Sequence, residues 1–299
     1  MVYWAAFDMD STLGYFGSVV NYLTCFAPWI LNDIFKKPHY DGPPLARVNL
    51  PNDLNEPLMS AFYKFVQLMS VDEQINKLIR PGILPVLKKL LEAKRAGKVG
   101  GIMIYSNNSS IVTVLFCQEL IRILLGESDN VFNPALSWLS SIRKEELKGY
   151  KNGNGPKTVE TIKHAFKTVY KEVVIRDEEI LFFDDLIHPD IKSKIPEANY
   201  FHVQPYEKYC DIKRVHTAFL NACLTQRLPE NKLYKFALKK IGYDFTGPDA
   251  GLDSMMANQP VGYNKPVRDD LLLLNRVDKL LKPTGNGGRR KTRKNKMLY

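Results

Sequence analysis

No long apolar run, no internal repeat and no paired-cysteine motif occurs in this chain of 299 residues, and each absence removes a class of protein. The longest apolar stretch, around residues 19–31, is interrupted by Asn21, Thr24 and Pro28 and is too short to span a bilayer. The amino terminus has no basic segment ahead of its apolar residues and meets Asp8 and Asp10 early, so it cannot serve as a secretory signal. The four cysteines, Cys25, Cys117, Cys210 and Cys223, are scattered, and Cys25 and Cys117 lie in apolar runs where a reduced thiol packs as a small hydrophobe. A chain of this length buries enough surface to need no disulfide staples. A reducing intracellular setting, cytoplasmic or nuclear, is expected, with no membrane partner. The five histidines, His39, His164, His188, His202 and His216, show no metal-ligand spacing. Only His188, three residues past Asp185, lies near the candidate chemistry described below.

What is present is an ordinary globular balance, with 45% hydrophobic and 25% charged positions, which excludes a wholly disordered or collagen-like chain. Acid is missing from one end. The last fourteen residues hold Arg289, Arg290, Lys291, Arg293, Lys294 and Lys296, so of the net charge of +10 only about +4 belongs to the rest. Residues 283–288, Pro-Thr-Gly-Asn-Gly-Gly, read as a flexible linker to this tail. A basic tail at 289–296 is suited to a polyanionic partner such as nucleic acid, or to addressing and solubility alone.

Short apolar runs alternate with helical patterns, the signature of an α/β domain with a mainly parallel sheet. Strands are expected over 2–7, 101–105, 180–183 and 200–203. Helices are expected over 83–93, opened by Pro81-Gly82, over about 110–125 with Asn108, Ser109 or Ser110 as cap, from about Lys157 through Val169, and over about 207–224. Residues 15–78 break the alternation and read as a mostly helical insertion or cap after the first strand, with a helix near 54–69. The expected organisation is a Rossmann-like three-layer α/β/α core from 1–14 and 79–225. A partly helical extension follows at 226–283, with its clearest helix at 271–281, then the tail at 284–299.

The chemistry is concentrated where the strands end. Asp8-Met9-Asp10-Ser11-Thr12 follows the apolar run Trp4-Ala5-Ala6-Phe7 directly, and open α/β sheets bind ligands at the carboxyl ends of their strands. A spacing of two sends both carboxylates to one side of an extended chain. An EF-hand is excluded, because loop positions 6 and 12 counted from Asp8 hold Leu13 and Val19 instead of Gly and Glu. A second apolar run ends in Ser106-Asn107-Asn108, and a third ends in Asp184-Asp185, where adjacent like charges repel unless a cation or a proton holds them. Lys157 lies 27 residues before Asp184, at the start of the helix that leads into that strand. Its surroundings, Gly153-Asn154-Gly155-Pro156-Lys157-Thr158, imitate a P-loop, but Pro156 stands where a glycine is required.

Taken in order, these groups resemble the four motifs of the haloacid dehalogenase superfamily of phosphotransferases. Asp8, Asp10 and Thr12 match the strand followed by Asp-x-Asp-x-Thr, Ser106 the second motif, Lys157 the third, and Asp184-Asp185 the paired acids of the fourth. Arg80-Pro81-Gly82 before a helix and the second-motif strand is similar to the carboxy-terminal-domain phosphatase branch, also called NLI-interacting-factor-like. That branch usually carries Asp-Asn where this chain has Asp184-Asp185.

The resemblance implies a phosphomonoester hydrolase with Mg²⁺ as cofactor. Asp8 would be the nucleophile that forms an aspartyl-phosphate, and Asp10 the general acid and base. Ser106, Asn107 and Lys157 would bind the phosphoryl group. The metal would be held by Asp8, the Asp10 backbone carbonyl and Asp185, with Asp184 as a second ligand or outer partner. An acid two residues past the nucleophile separates phosphoester hydrolysis from the cation-pumping ATPases, which have Thr there, and from the dehalogenases, which lack the second acid. A phosphorylated protein is the expected substrate. The alternatives are a polynucleotide 3′-end phosphatase held on nucleic acid by the tail, and a non-enzymatic nucleic-acid-binding or packaging protein built on the same fold. The two enzyme readings require Asp8, Ser106, Lys157 and Asp185 to converge around a single divalent ion.

Overall fold

In the computed structural model of the chain, residues 1–20, 22–23, 52–73, 76–143, 146–150, 155–208, 210–228 and 270–282 are described. The expected linker at 283–288 and the basic tail lie outside these residues, as do Cys25, His39 and most of the 226–283 extension.

Five strands form one parallel sheet: β1 Tyr3–Phe7, β2 Val99–Tyr105, β3 Ala135–Leu136, β4 Ile180–Asp184 and β5 Tyr200–His202. Their order across the sheet is β3-β2-β1-β4-β5, so the chain winds outward from β1 in one direction and then in the other. This is a doubly wound Rossmann-like sheet, and its winding reverses at β1, where such sheets open a crevice. The register sets Phe7 beside Ile104 on one side and Phe183 on the other, which brings the residues that follow all three strands to one edge.

The strands are apolar on both faces because helices cover both, as parallel sheets require. Alternation divides their side chains between two cores. Ala5, Phe7, Ile102, Ile104, Leu181 and Phe183 face one layer of helices: α1 Asn52–Val71, α2 Ile83–Arg95, α3 Ile111–Leu125, α6 Ile212–Thr225 and α7 Asp270–Leu281. Trp4, Ala6, Met103, Tyr105, Ile180 and Phe182 face the other, built on α4 Val159–Tyr170 and the short α5 Pro189–Lys194. Three phenyl rings run in a stack across the sheet, with centroids 4.1 Å apart for Phe7 and Phe183 and 4.3 Å apart for Phe183 and Phe201.

The four expected strands form within two residues of their expected bounds, and β3, only two residues long, is added at the edge. The helix expected from about 207 begins at Ile212, because the Asp211 side chain caps it by accepting from Lys213 N at 2.9 Å. Ser110 caps α3, accepting from Thr113 N, and Gly126 in the left-handed conformation (φ +69°) ends it. Helix α1 lies within the residues expected to form a cap, yet its apolar residues Leu58, Ala61, Phe62, Phe65, Val66 and Met69 belong to the main core. It packs against α3 and α6 as part of the helical layer.

The loop after β1 is held against the start of α2. Ser11 adopts φ +60°, a region that non-glycine residues seldom occupy, and turns the chain sharply after Asp10. Gly14 then passes so close to Leu78 that a Cβ there would lie 2.3 Å from the Leu78 carbonyl oxygen. The buried Arg80 guanidinium clamps the turn, donating from Nε to Thr12 O at 2.8 Å and from Nη2 to Ser11 O at 2.7 Å. Nη2 also donates to Gln204 O, which ties this turn to the chain leaving β5.

Candidate active site

A cleft of about 740 Å³ opens at the carboxyl ends of β1, β2 and β4, lined among others by Asp8, Asp10, Ser106, Asn108, Lys157 and Asp185. Trp138, Leu139 and Leu186 add an apolar rim. Among the described residues, none from 15–78 lines it.

Lys157 is the hub. Its ammonium is buried and donates to Asp8 Oδ1 at 2.5 Å and to Asp184 Oδ2 at 2.6 Å. An ammonium has three N–H donors, so one remains for a ligand. The position is fixed by the start of α4: Thr158 caps the helix by accepting from Thr161 N, and Val159 N donates to Asp190 Oδ2 at 3.1 Å. The lysine therefore points from the α4 layer across the strand ends toward β1.

The two acids on Lys157 are treated differently by their surroundings. Burial pushes the Asp8 carboxyl well above its ordinary value against the pull of Lys157, and the charge on Asp184 adds to the rise. For Asp184 burial acts the same way, but Lys157 and His188 together outweigh it and hold the carboxyl below its ordinary value. Both Asp184 oxygens are engaged, Oδ1 by Leu186 N at 2.8 Å and Oδ2 by Lys157, with His188 Nε2 at 3.2 Å from Oδ2. For Lys157, burial favours the neutral amine, yet Asp8 and Asp184 outweigh it and keep the ammonium charged.

Asp10 sits beside this pair. Its Oδ2 accepts from Asn108 Nδ2 at 2.9 Å, and burial raises its pKa against that hydrogen bond. Asn108 is itself pinned, with its Oδ1 accepting from Ser110 N at 2.7 Å and its backbone N–H donating to Ser106 Oγ at 2.9 Å. The Ser106 hydroxyl is an acceptor in that contact and keeps its own O–H proton for a ligand. Asp185 is held by Thr12, whose Oγ1 donates to Asp185 Oδ1 and accepts from Asp185 N, both at 3.0 Å. Burial and then the neighbouring Asp184 raise the Asp185 pKa.

One carboxylate oxygen from each of Asp8, Asp184 and Asp185 lies within 4.8 Å of the others. Three carboxylates against one ammonium leave two excess negative charges, and every donor is oxygen. A hard divalent cation such as Mg²⁺ fits that set in charge and ligand type. Asp184 already has protein donors on both oxygens, which makes it the charge partner of Lys157 and leaves Asp8 and Asp185 as the better-placed ligands.

Of the residues singled out from the sequence, Asp8, Asp10, Ser106, Lys157, Asp184 and Asp185 are thus brought together at one strand edge. Asn107 also lines the cleft, with Oδ1 accepting from Arg143 Nη2 at 2.7 Å and Nδ2 donating to Gly155 O at 3.0 Å; these bonds brace the loop and use one of the two Nδ2 hydrogens. Asn108, a cap candidate in the sequence, accepts from Ser110 N in the turn before α3 and with its Nδ2 also orients Asp10. Arg143 drew no attention in the sequence, where it stands in a polar stretch of ordinary surface composition, and it is fully buried behind the cleft. In comparisons with known proteins, no family model, no curated protein and no solved structure matches the chain. Among the described residues, no helix is long and apolar enough to cross a membrane.

Proposed function

We propose that this chain is a Mg²⁺-dependent phosphomonoester hydrolase that works through an aspartyl-phosphate on Asp8. The observation that carries the reading is the meeting of Asp8, Asp10, Ser106, Lys157 and Asp185 in one open cleft at the point where the sheet reverses its winding. A phosphate monoester dianion repels anionic nucleophiles, and its uncatalysed hydrolysis is slow enough that enzymes accelerate it by up to ~10²¹. Mg²⁺, held by Asp8, Asp185 and, by the resemblance, the Asp10 carbonyl, would supply charge neutralisation when bound.

Each remaining part of the reaction falls to a side chain of this protein. Asp8 attacks phosphorus in line, and its new O–P bond forms as the ester O–P bond breaks. The leaving alkoxide takes the proton carried by Asp10, whose buried carboxyl is biased toward the protonated form that a general acid needs. Asp10 then removes a proton from the water that attacks the phosphorus of the aspartyl-phosphate, which releases inorganic phosphate and restores the Asp8 carboxylate. Such acid–base work is typically worth about 10²–10⁴-fold. Ser106 and the third N–H of Lys157 bind phosphoryl oxygens, and Asp184 keeps Lys157 charged and aimed.

A phosphorylated protein is the substrate class we favour. The cleft is open, its rim is apolar through Trp138, Leu139 and Leu186, and among the described residues that line it Lys157 is the one cation. A polynucleotide end would place further phosphates where this rim offers no described positive charge.

Hydrolysis of p-nitrophenyl phosphate tests the reaction. Turnover should require Mg²⁺, stop reversibly with EDTA, and vanish in Asp8→Asn; activity undiminished by either change refutes the scheme. Phosphopeptide and 3′-phosphate oligonucleotide, each offered to the full chain and to a chain truncated after Pro283, test the substrate. Turnover of the oligonucleotide alone, lost with the tail, would reverse the preference.

A further inference from the structure

We infer that Arg143 is a positioning residue that sets the spacing between the two phosphate-binding groups, the Ser106 hydroxyl and the Lys157 ammonium. The inference rests on the phosphohydrolase reading and goes beyond it, because Arg143 lines no part of the cleft and matches no motif position.

The guanidinium is 0% exposed, an arrangement that is costly unless its N–H groups are satisfied. Four of them are. Nη1 donates to Ser106 O at 2.6 Å, Nη2 to Asn107 Oδ1 at 2.7 Å and to Pro156 O at 3.2 Å, and Nε to Glu146 Oε2 at 2.8 Å. Three of these acceptors belong to the two segments that carry the phosphate-binding groups. Ser106 is bound directly, and Pro156 immediately precedes Lys157.

The grip on Lys157 is completed from its other side. Glu146, which the guanidinium holds, accepts from the Tyr105 hydroxyl, and that hydroxyl accepts from Thr158 N at 3.0 Å. One buried network therefore fixes the residue before Lys157 and the residue after it. Tyr105 is also the last residue of β2, directly before Ser106, so the same network spans both segments twice. Asn107 adds a direct tie to Gly155 O at 3.0 Å.

The orientation of the fork is set by aromatic rings. The guanidinium carbon lies 4.8 Å from the Tyr105 ring centroid and 5.8 Å from that of Trp138. A planar fork stacked in this way and satisfied on several edges cannot be reproduced by an ammonium, which is a point charge on a flexible stem. A lysine would keep the positive charge and lose the simultaneous hold on Ser106, Asn107 and Pro156. Replacing a buried ion pair with apolar groups is often near neutral for stability, so the role assigned here is geometric.

Two variants of the full chain test the inference: Arg143→Lys, which keeps the charge, and Arg143→Met with Glu146→Gln, which removes the pair without stranding a buried carboxylate. The measurements are kcat and KM for p-nitrophenyl phosphate, the inhibition constant of inorganic phosphate, and the Mg²⁺ concentration for half-activation. A misplacement of about 1 Å can cost about 10²-fold, so kcat/KM should fall about 10²-fold and phosphate inhibition should weaken at least about 10-fold. The Mg²⁺ constant should stay within about twofold, because Arg143 makes no contact with Asp8, Asp10 or Asp185. An active wild type whose variants keep kcat/KM within about threefold overturns the inference and leaves the hydrolase reading intact. So does a parallel loss of Mg²⁺ and phosphate affinity, which would mark a general structural role. A wild type that neither turns over phosphomonoesters nor binds phosphate brings down the hydrolase reading and this inference with it.

Discussion

Lys157→Met removes the one ammonium that serves two buried carboxylates, and its consequence for stability follows from the burial of all three groups. Lys157 is 2% exposed and Asp184 0%, with Nζ at 2.6 Å from Asp184 and 2.5 Å from Asp8. Removing one partner of a buried ion pair strands the other charge and typically costs about 3–5 kcal/mol. Here two acids are stranded beside each other, so the upper part of that range applies. In a domain of this size each kcal/mol moves Tm by about 2–4 °C, which gives a loss of about 8–20 °C at pH 8 in EDTA.

The sign of the pH dependence separates this cause from mere loss of packing. Without Lys157, the folded-state pKa of Asp184 rises above its unfolded value and that of Asp8, already raised by burial, rises further, so the folded variant binds more protons relative to its unfolded state than the wild type does. Stability then falls as pH rises, and the penalty shrinks from pH 8 toward pH 5. In the wild type the Asp184 pKa is lowered, so the stability it contributes is present above its unfolded pKa and is lost only as pH falls through the lower folded value, below that window. Adding Asp184→Asn to Lys157→Met removes the repulsion between the acids and should recover at least about 1 kcal/mol relative to the sum of the single changes. Thermal and urea unfolding followed by circular dichroism read all three variants. A loss below about 1 kcal/mol, or one that is the same at pH 5 and pH 8, refutes the reasoning.

Three further outcomes follow from the same geometry. Mg²⁺ at 100 times its dissociation constant should stabilise the wild type by about 2.7 kcal/mol at pH 8 and by less at pH 5, where protons compete for the carboxylates. Differential scanning calorimetry should find that shift abolished in Asp185→Asn; its persistence would remove Asp185 from the metal site. Asp10→Asn should abolish turnover yet melt higher than the wild type in EDTA at pH 8, with the gap closing toward pH 5, because burial raises the Asp10 pKa and penalises its ionised form; a lower Tm at pH 8 contradicts this. Arg80→Met strips the donors from Thr12 O, Ser11 O and Gln204 O and should cost at least about 3 kcal/mol in urea denaturation, with Arg80→Lys recovering only part; a loss under 1 kcal/mol would show that the turn after Asp10 holds without its clamp.

What could be read from the sequence and what could not divides along a physical line. β1, β2 and β4 announce themselves because a strand buried on both faces must be largely apolar, and the acids and hydroxyl at their carboxyl ends stand out against those runs. β3 leaves no such trace: two residues, Ala135 and Leu136, are too few to show a period, and the strand exists through its pairing with Ile104 and Tyr105. The packing of helix α1 is hidden for a related reason: its apolar face suits a separate cap as well as a core layer, and its contacts with α3 and α6 are visible only in the fold. The residues that hold the site in shape are harder still. Arg80 stands out only through the resemblance of Arg80-Pro81-Gly82, and Arg143 reads as a surface charge, because their burial is created by partners 68 and 37 residues away at Thr12 and Ser106. The one local trace of the second network is Tyr105, a phenol at the end of a buried strand, whose hydroxyl must find partners once the ring is covered. That demand shows that a polar group waits behind β2 without saying which. Residues that meet a ligand are marked by where the strands end, whereas residues that aim them are marked only by the three-dimensional neighbours they bind.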